Sequence, residues 1–129
     1  MENTENREVL LKILIAEDDE ISRKLLSMTV KSFAKEILIA KNGLEVVEIC
    51  KENPDTDLIL MDMNMPMLNG DEATIKIREF NNKVIILAQT AYTVEEEKLK
   101  IIAAGCNDCV LKPVNKTQLA QMIDIYFRD

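Results

Sequence analysis

The chain has 129 residues, enough for one domain with a buried core, and its 47% apolar and 30% charged residues match an ordinary soluble globular protein. A formal net charge of -7 with no basic run argues against nucleic acid as a direct partner. Histidine is absent, which excludes histidine bases, ligands and phosphocarriers within the chain, and no apolar run approaches the roughly 20 residues of a membrane span. The polar start, Met1 to Glu8, lacks the apolar segment of a signal peptide. Residues 1–8 therefore read as a flexible lead-in to a domain over 9–129, and a cytoplasmic location is expected. Cys50, Cys106 and Cys109 are odd in number, so no disulfide is expected. The Cys106-x-x-Cys109 pair lacks the further ligands of a zinc site and reads as small buried side chains at a strand start.

Five short apolar runs alternate with five amphipathic stretches. Lys12 to Ala16 is the first strand, and it ends in the acids Glu17, Asp18, Asp19 and Glu20. A helix is predicted over 21–34, with Ile21, Leu25, Met28, Thr29 and Phe33 near one face. Glu36 to Ala40 is the second strand. Asn42 opens the second helix with Glu45 at capping-box spacing, and Asn53-Pro54 stops it. Leu58 to Met61 is a third strand, buried on both faces and running directly into Asp62. Met61, Met63, Met65 and Met67 read as packing residues, and Asn69-Gly70 closes the loop before a helix over 70–80 with Ala73, Ile75 and Ile77 for packing.

Val84 to Ala88 is the fourth strand, followed by Gln89, Thr90 and Ala91. Thr93 and Glu96 cap a fourth helix whose outer face carries Glu95, Glu96, Glu97, Lys98 and Lys100, and Gly105 ends it. Cys109 to Leu111 is the fifth strand, followed by Lys112-Pro113. Asn115 and Gln118 cap a last helix that buries Leu119, Met122, Ile123 and Tyr126. Five βα units of roughly 20 to 25 residues predict an α/β fold, a parallel sheet with helices on both faces. Of the common doubly wound orders, the flavodoxin-like 2-1-3-4-5 suits five strands, and it sets the ends of strands one and three across one crevice.

Four strand ends then contribute Glu17 and Asp18, Asp62, Thr90 and Lys112. Three carboxylates in one crevice repel each other, and a divalent cation removes the conflict. Oxygen ligands without His or thiolate favour Mg²⁺, which keeps several waters and completes its shell with a phosphate. A hydroxyl and an ammonium opposite suit the spread charge of a transferring phosphoryl group. A carboxylate is a known phosphoryl nucleophile, so the set suggests Mg²⁺-dependent formation of an aspartyl phosphate on Asp62.

These motifs resemble the receiver domains of two-component response regulators over about residues 11–127. The resemblance rests on Ile-Leu-Ile-Ala-Glu-Asp-Asp-Glu at 13–20, Asp-Leu-Ile-Leu-Met-Asp-Met-Asn-Met-Pro at 57–66, Asn69-Gly70, Thr90-Ala91 and Lys112-Pro113. It implies Asp62 as phosphoacceptor, Asp18 as a direct Mg²⁺ ligand, Glu17 acting through a metal-bound water and Asn64 offering its backbone carbonyl. Thr90 would bond the phosphoryl oxygen, Lys112 would pair with it, and Lys112-Pro113 would be cis. The phosphodonor would be a phosphohistidine on a sensor histidine kinase or a histidine phosphotransfer protein. Pairing of two copies through the fourth helix, fifth strand and fifth helix is also implied. Cys109 stands where the family has an aromatic switch, and a thiol is too small to reproduce that movement. Asn64 and Tyr92 occupy positions that tune hydrolysis in the family, and bulky Tyr92 is expected to slow attack by water.

No output domain is expected after the last helix, and the resemblance fits a stand-alone regulator, a relay intermediate or a receiver piece of a hybrid sensor kinase. Two other classes compete. A haloacid-dehalogenase-like phosphohydrolase also uses a strand-end Asp, but wants a second acid two residues on, where Asn64 stands. A flavodoxin-like cofactor binder wants a Ser/Thr/Gly-rich phosphate loop after the first strand, where four acids stand.

Overall fold

The computed structural model describes residues 10–91 and 95–128. Five strands, β1 (Leu11–Ala16), β2 (Ala34–Ala40), β3 (Leu58–Asp62), β4 (Ile85–Thr90) and β5 (Asp108–Leu111), alternate with five helices. The helices are α1 (Glu20–Val30), α2 (Gly43–Glu52), α3 (Gly70–Arg78), α4 (Glu95–Ala104) and α5 (Lys116–Phe127). All strand pairs are parallel, in the order β2-β1-β3-β4-β5, as the alternation predicts.

Successive side chains of the central strands point to opposite faces, so each strand feeds two cores. Leu14, Ile59, Met61 and Ile86 pack with Val46, Cys50, Ala73, Ile77 and Ile101 on the α2–α4 side. Ile13, Ile15, Leu58, Leu60 and Leu87 pack with Leu26, Val30, Leu119 and Ile123 on the side of α1 and α5. Each such aliphatic side chain, fully buried, contributes about 1.5–3 kcal/mol. Both faces being dry explains why β1 and β3 read as continuous apolar runs instead of alternating ones.

Asp19, Asn42, Asn69 and Asn115 cap α1, α2, α3 and α5, each side chain accepting from the backbone N–H three residues on. Asn69 and Glu72 close a full capping box. At α2 the return bond differs from the predicted box: Glu45 Oε1 accepts from the Lys41 N–H, one residue before the cap. Gly105 ends α4 with φ 118°, the left-handed conformation expected of a terminating glycine. The proposed Thr93 cap of α4 and the expected lead-in lie outside the described residues, apart from Glu96.

Several sequence expectations are corrected. The first helix stops at Val30, a 3₁₀ turn covers Lys31–Phe33, and Ala34 already belongs to β2. The buried stripe of α1 is Leu26 and Val30, continued by Phe33. Ile21, Leu25 and Met28 are 70%, 55% and 72% exposed. Apolar residues sit on two sides of this helix, and helical spacing alone fits either stripe. The third helix ends at Arg78, and Ile75 faces solvent because Ala73, Thr74 and Ile77 occupy the inner face. Met61 and Met65 are buried and Met63 packs against the core, but Met67 is 72% exposed, in a left-handed turn with φ 73°. Met122 and Tyr126 are half-buried against the core rather than within it.

At the N-terminal edge of the sheet Lys12 is buried among polar partners. Its Nζ lies 3.0 Å from Asn53 Oδ1 and 2.9 Å from Asp55 Oδ1, with Glu36 at 3.6 Å. The cluster closes on itself and ties β1 to the α2–β3 connection.

Candidate functional site

The site grows from strand register. Ala16 of β1 pairs with Met61 of β3, which sets Glu17 and Asp62 at matching heights, and Asp62 in turn pairs with Gln89 of β4. The chain winds from β1 to β2 on one side and returns to β3 on the other, so the crevice opens between β1 and β3. The last β4 residue, Thr90, pairs with Leu111, and the Thr90 carbonyl accepts from the Lys112 N–H at 2.9 Å. Lys112 is thereby aimed back over the crevice. The Lys112-Pro113 bond is cis, as the resemblance implies.

One carboxylate oxygen from each of Glu17, Asp18 and Asp62 lies within 4.8 Å of the others. Glu17 and Asp62 are each 2% exposed, and Asp18 faces solvent. Lys112 Nζ donates to Asp62 Oδ1 at 3.0 Å and stands 3.6 Å from Glu17 Oε1. The Asn64 N–H also donates to Asp62 Oδ1, at 3.1 Å, so β3's end and the loop after it grip the same oxygen. Glu17 Oε2 accepts from the Asp19 N–H at 3.2 Å. Arg23 donates from α1 to the carbonyls of Glu17 and Asp18, fixing the loop that carries both acids.

A single ammonium does not balance three carboxylates. Burial, reinforced by the neighbouring Asp62 charge, pushes the Glu17 carboxyl up to about 7, against the opposing pull of the Asp19 N–H and of Lys112. At Lys112 burial works against the charge, but the hydrogen bond and charge of Asp62, with Glu17 behind, outweigh it and raise the ammonium above its ordinary range. Glu17 Oε1 is buried with no hydrogen-bond partner among the described residues. An anionic acceptor left in that state costs more than the roughly 1–3 kcal/mol of a neutral one. The donor set of carboxylates with one orphaned, buried oxygen fits a hard divalent cation of the Mg²⁺ type.

The structure thus brings together Glu17, Asp18, Asp62 and Lys112, with the Asn64 backbone beside them, while Thr90 ends the adjacent strand and lines a groove on the β5 side. Cys106 is buried beside the Thr74 hydroxyl at 3.6 Å, and burial pushes its thiol up to about 11, far from a reactive thiolate. Cys109 is half-buried on β5 and, with Thr90, Leu111 and Met122, lines a groove of about 250 Å³. Tyr92 lies outside the described residues.

Sequence reasoning missed three contributors. Arg23 gave no signal beyond an ordinary helix arginine. Gly43 lies so close to the loop after β3 that a Cβ there would overlap the Leu68 carbonyl. Gln89 is a buried amide in the row of Asp62, and its signal was a polar residue at the end of an otherwise apolar strand.

A parallel 2-1-3-4-5 sheet with an acid-and-lysine crevice at its carboxyl edge defines the receiver class of α/β domains. The chain belongs to the response regulator receiver domain family, whose model matches residues 13–124. It is 35% identical to the two-component response regulator ARR22 of Arabidopsis thaliana, over 98% of this chain and 92% of that protein. It is equally 35% identical to hybrid signal transduction histidine kinase I of Dictyostelium discoideum, over 88% of this chain but only 7% of the kinase. Among solved structures, the Saccharomyces cerevisiae Ssk1 receiver domain, crystallised with the histidine phosphotransfer signalling protein Ypd1, superposes with a TM-score of 0.86 at 34% identity, covering 94% and 91% of the two chains. The receiver domain of the Pseudomonas aeruginosa sensor histidine kinase PA1611, solved with magnesium in its active-site cleft, gives 0.81 at 27% identity over 92% and 98%. Neither the dehalogenase-like nor the flavodoxin-like reading fits this family. No helix among the described residues is long and apolar enough to cross a membrane.

Proposed function

We propose that Asp62 accepts a phosphoryl group from a phosphohistidine on a partner protein, in a reaction that requires Mg²⁺. The observation that carries this reading is the buried Asp62 carboxylate, gripped at 3.0 Å by Lys112 and within 4.8 Å of Glu17 and Asp18. Glu17, Asp18 and Asp62, with the Asn64 carbonyl, would hold the cation, which supplies charge neutralisation for the phosphoryl oxygens. Lys112 keeps one face of the crevice positive and pairs with the incoming phosphoryl group. Thr90, on the far strand end, hydrogen-bonds it. Asp62 attacks phosphorus as the phosphorus–nitrogen bond to the donor breaks, and the donor imidazole departs. Donor and acceptor must sit on separate chains or domains, since this sequence contains no histidine.

The exposed stripe of Ile21, Leu25 and Met28 on α1 runs directly from the crevice and suits a helical partner bearing the phosphohistidine. A histidine kinase or histidine phosphotransfer protein in the cytoplasm is the partner this reading expects, with the chain acting as a regulator or as the receiver of a hybrid kinase. Leu99, Ile102 and Leu111 are exposed on α4 and β5, the surface through which two copies would pair.

Incubation with acetyl phosphate, read by intact mass, tests the reading. One phosphoryl mass is gained with Mg²⁺ and not with chelator, and Asp62→Ala gains none. Equal gain by Asp62→Ala overturns it.

A further inference from the structure

Charge is unevenly spread over this acidic chain. Residues 20–41 hold five lysines and arginines against two acids, although the whole chain carries a net charge of -7. They span α1, the 3₁₀ turn after it and the edge strand β2, whose one neighbour in the sheet is β1. Glu20, Arg23, Lys24 and Met28 stand at helical spacing along one wall of an open groove of about 540 Å³. Ile39 and Lys41, from the end of β2, form the other wall.

The cations of this groove are poorly answered from within the molecule. Among the described residues only Lys24 of the three forms an ion pair, with Glu20 at 3.8 Å, and the two side chains are 75% and 73% exposed. Such a pair contributes little. Arg23 directs Nη1 to the Glu17 and Asp18 carbonyls, and Lys41 meets Glu45 through its backbone N–H. The groove also has an apolar component, with Met28 exposed and Ile39 half-buried. Nucleic acid suits it badly, because Asp18 and Asp19 stand at the start of the same helix. The exposed stripe of Ile21, Leu25 and Met28 adjoins the groove, and Met28 belongs to both. An incoming helix therefore meets an apolar row bordered by cations on the β2 side.

We propose that the phosphohistidine-bearing partner docks an amphipathic helix here whose flank toward β2 is acidic, its carboxylates meeting Lys24 and Lys41. This names the charge of the partner's docking surface and rests on the phosphoryl-transfer reading of Asp62. Rim charges of this kind act chiefly on association rate and salt dependence, while the apolar row supplies contact area. Arg23 both lines the groove and holds the Glu17–Asp18 loop, so the docked helix sits directly beside the crevice.

The test titrates the full ¹⁵N-labelled chain with a helical peptide of about 17 residues, carrying a leucine stripe and glutamates along one flank. Two counterparts carry glutamine or lysine in place of the glutamates. At low salt the glutamate peptide should move the amide signals of Lys24, Met28 and Ile39 saturably and bind at least about threefold more tightly than the glutamine peptide. The lysine peptide should bind these residues most weakly. A net charge of -7 taken alone predicts the reverse order. Raising the salt from about 50 to about 300 mM should erase the advantage of glutamate. Combining Lys24→Glu with Lys41→Glu should invert it, with Mg²⁺ binding and acetyl phosphate labelling of Asp62 unchanged. Equal binding of the glutamate and glutamine peptides, tighter binding of the lysine peptide or of a short DNA duplex at these residues, or an unaltered preference in the double variant overturns the proposal. Acetyl phosphate labelling of the same samples separates the two readings. An unmodified chain that takes no label overturns the phosphoryl reading and with it the assignment of this helix to the phosphodonor. Normal labelling without a preference for glutamate overturns the docking inference alone.

Discussion

Arg23 Nη1 donates to the Asp18 carbonyl at 2.9 Å and, from the same nitrogen, to the Glu17 carbonyl at 3.1 Å. One guanidinium on α1 therefore fixes the backbone of both acids contributed by β1's end. It does so without neutralising their carboxylates directly, because its bonds go to main-chain oxygens. Arg23→Met should loosen this loop and weaken Mg²⁺ binding about tenfold, the low end of the scale for lost supporting bonds around a metal site. Calorimetric titration with Mg²⁺ measures it, and an unchanged affinity would show that the loop holds its shape unaided.

Lys112 and Asp62 have opposite effects on stability despite forming one pair. Removing the lysine leaves two buried carboxylates facing each other, so Lys112→Met should destabilise the cation-free chain by about 1–3 kcal/mol, less than a fully buried pair because the ammonium is partly exposed. Asp62→Asn removes one side of that repulsion and should raise the cation-free melting temperature. Urea melts with and without Mg²⁺ separate the two, since Mg²⁺ should stabilise the unmodified chain more than Asp62→Asn.

Glu17 makes stability depend on pH in a defined direction. Its carboxyl is raised from 4.5 to about 7 on folding, so the folded chain holds this proton more tightly than the unfolded one. The associated stabilisation is complete below the unfolded value and is lost as pH rises through about 7. Melting temperature without a cation should fall across that window, Glu17→Gln should flatten the fall, and added Mg²⁺ should help most on its alkaline side. A melting temperature rising with pH through this window would contradict the assignment.

The loop after β3 is constrained from two directions. Met67 adopts φ 73° with its side chain in solvent, a conformation that costs a non-glycine residue about 1–2 kcal/mol and that Asn tolerates better. Met67→Asn should therefore stabilise by about 0.5–1 kcal/mol. Gly43→Ala should do the reverse, because the new methyl would meet the Leu68 backbone and push the loop carrying Asn64. Denaturant midpoints report both changes.

Strands and their terminal residues were legible because each apolar run breaks abruptly into a charged or polar residue, as at Ala16-Glu17 and Met61-Asp62. The crevice followed from topology, since alternating βα units leave few strand orders. Helix faces were harder. Ile21, Leu25 and Met28 have the spacing of a buried stripe yet stand in solvent, because burial on α1 is decided by Leu26 and Val30 meeting the sheet. Ile75 misled for the same reason. Arg23 and Gly43 could not be read, because both act through backbone atoms, Arg23 on the preceding loop and Gly43 on a segment distant in sequence. Gln89 is a buried polar residue ending an otherwise apolar run, and sequence alone assigned it no role.

The ionic cluster around Lys12 gives the sheet two unlike ends. There the cation is enclosed by acceptors that answer it, whereas the opposite edge carries more negative charge than its own residues neutralise. Damage at Lys12 should appear as a weaker fold at every Mg²⁺ concentration. Damage at the other edge should depend on how much Mg²⁺ is present. A melting curve recorded at two metal concentrations would thus tell, for an uncharacterised variant of this chain, which end of the sheet had been altered.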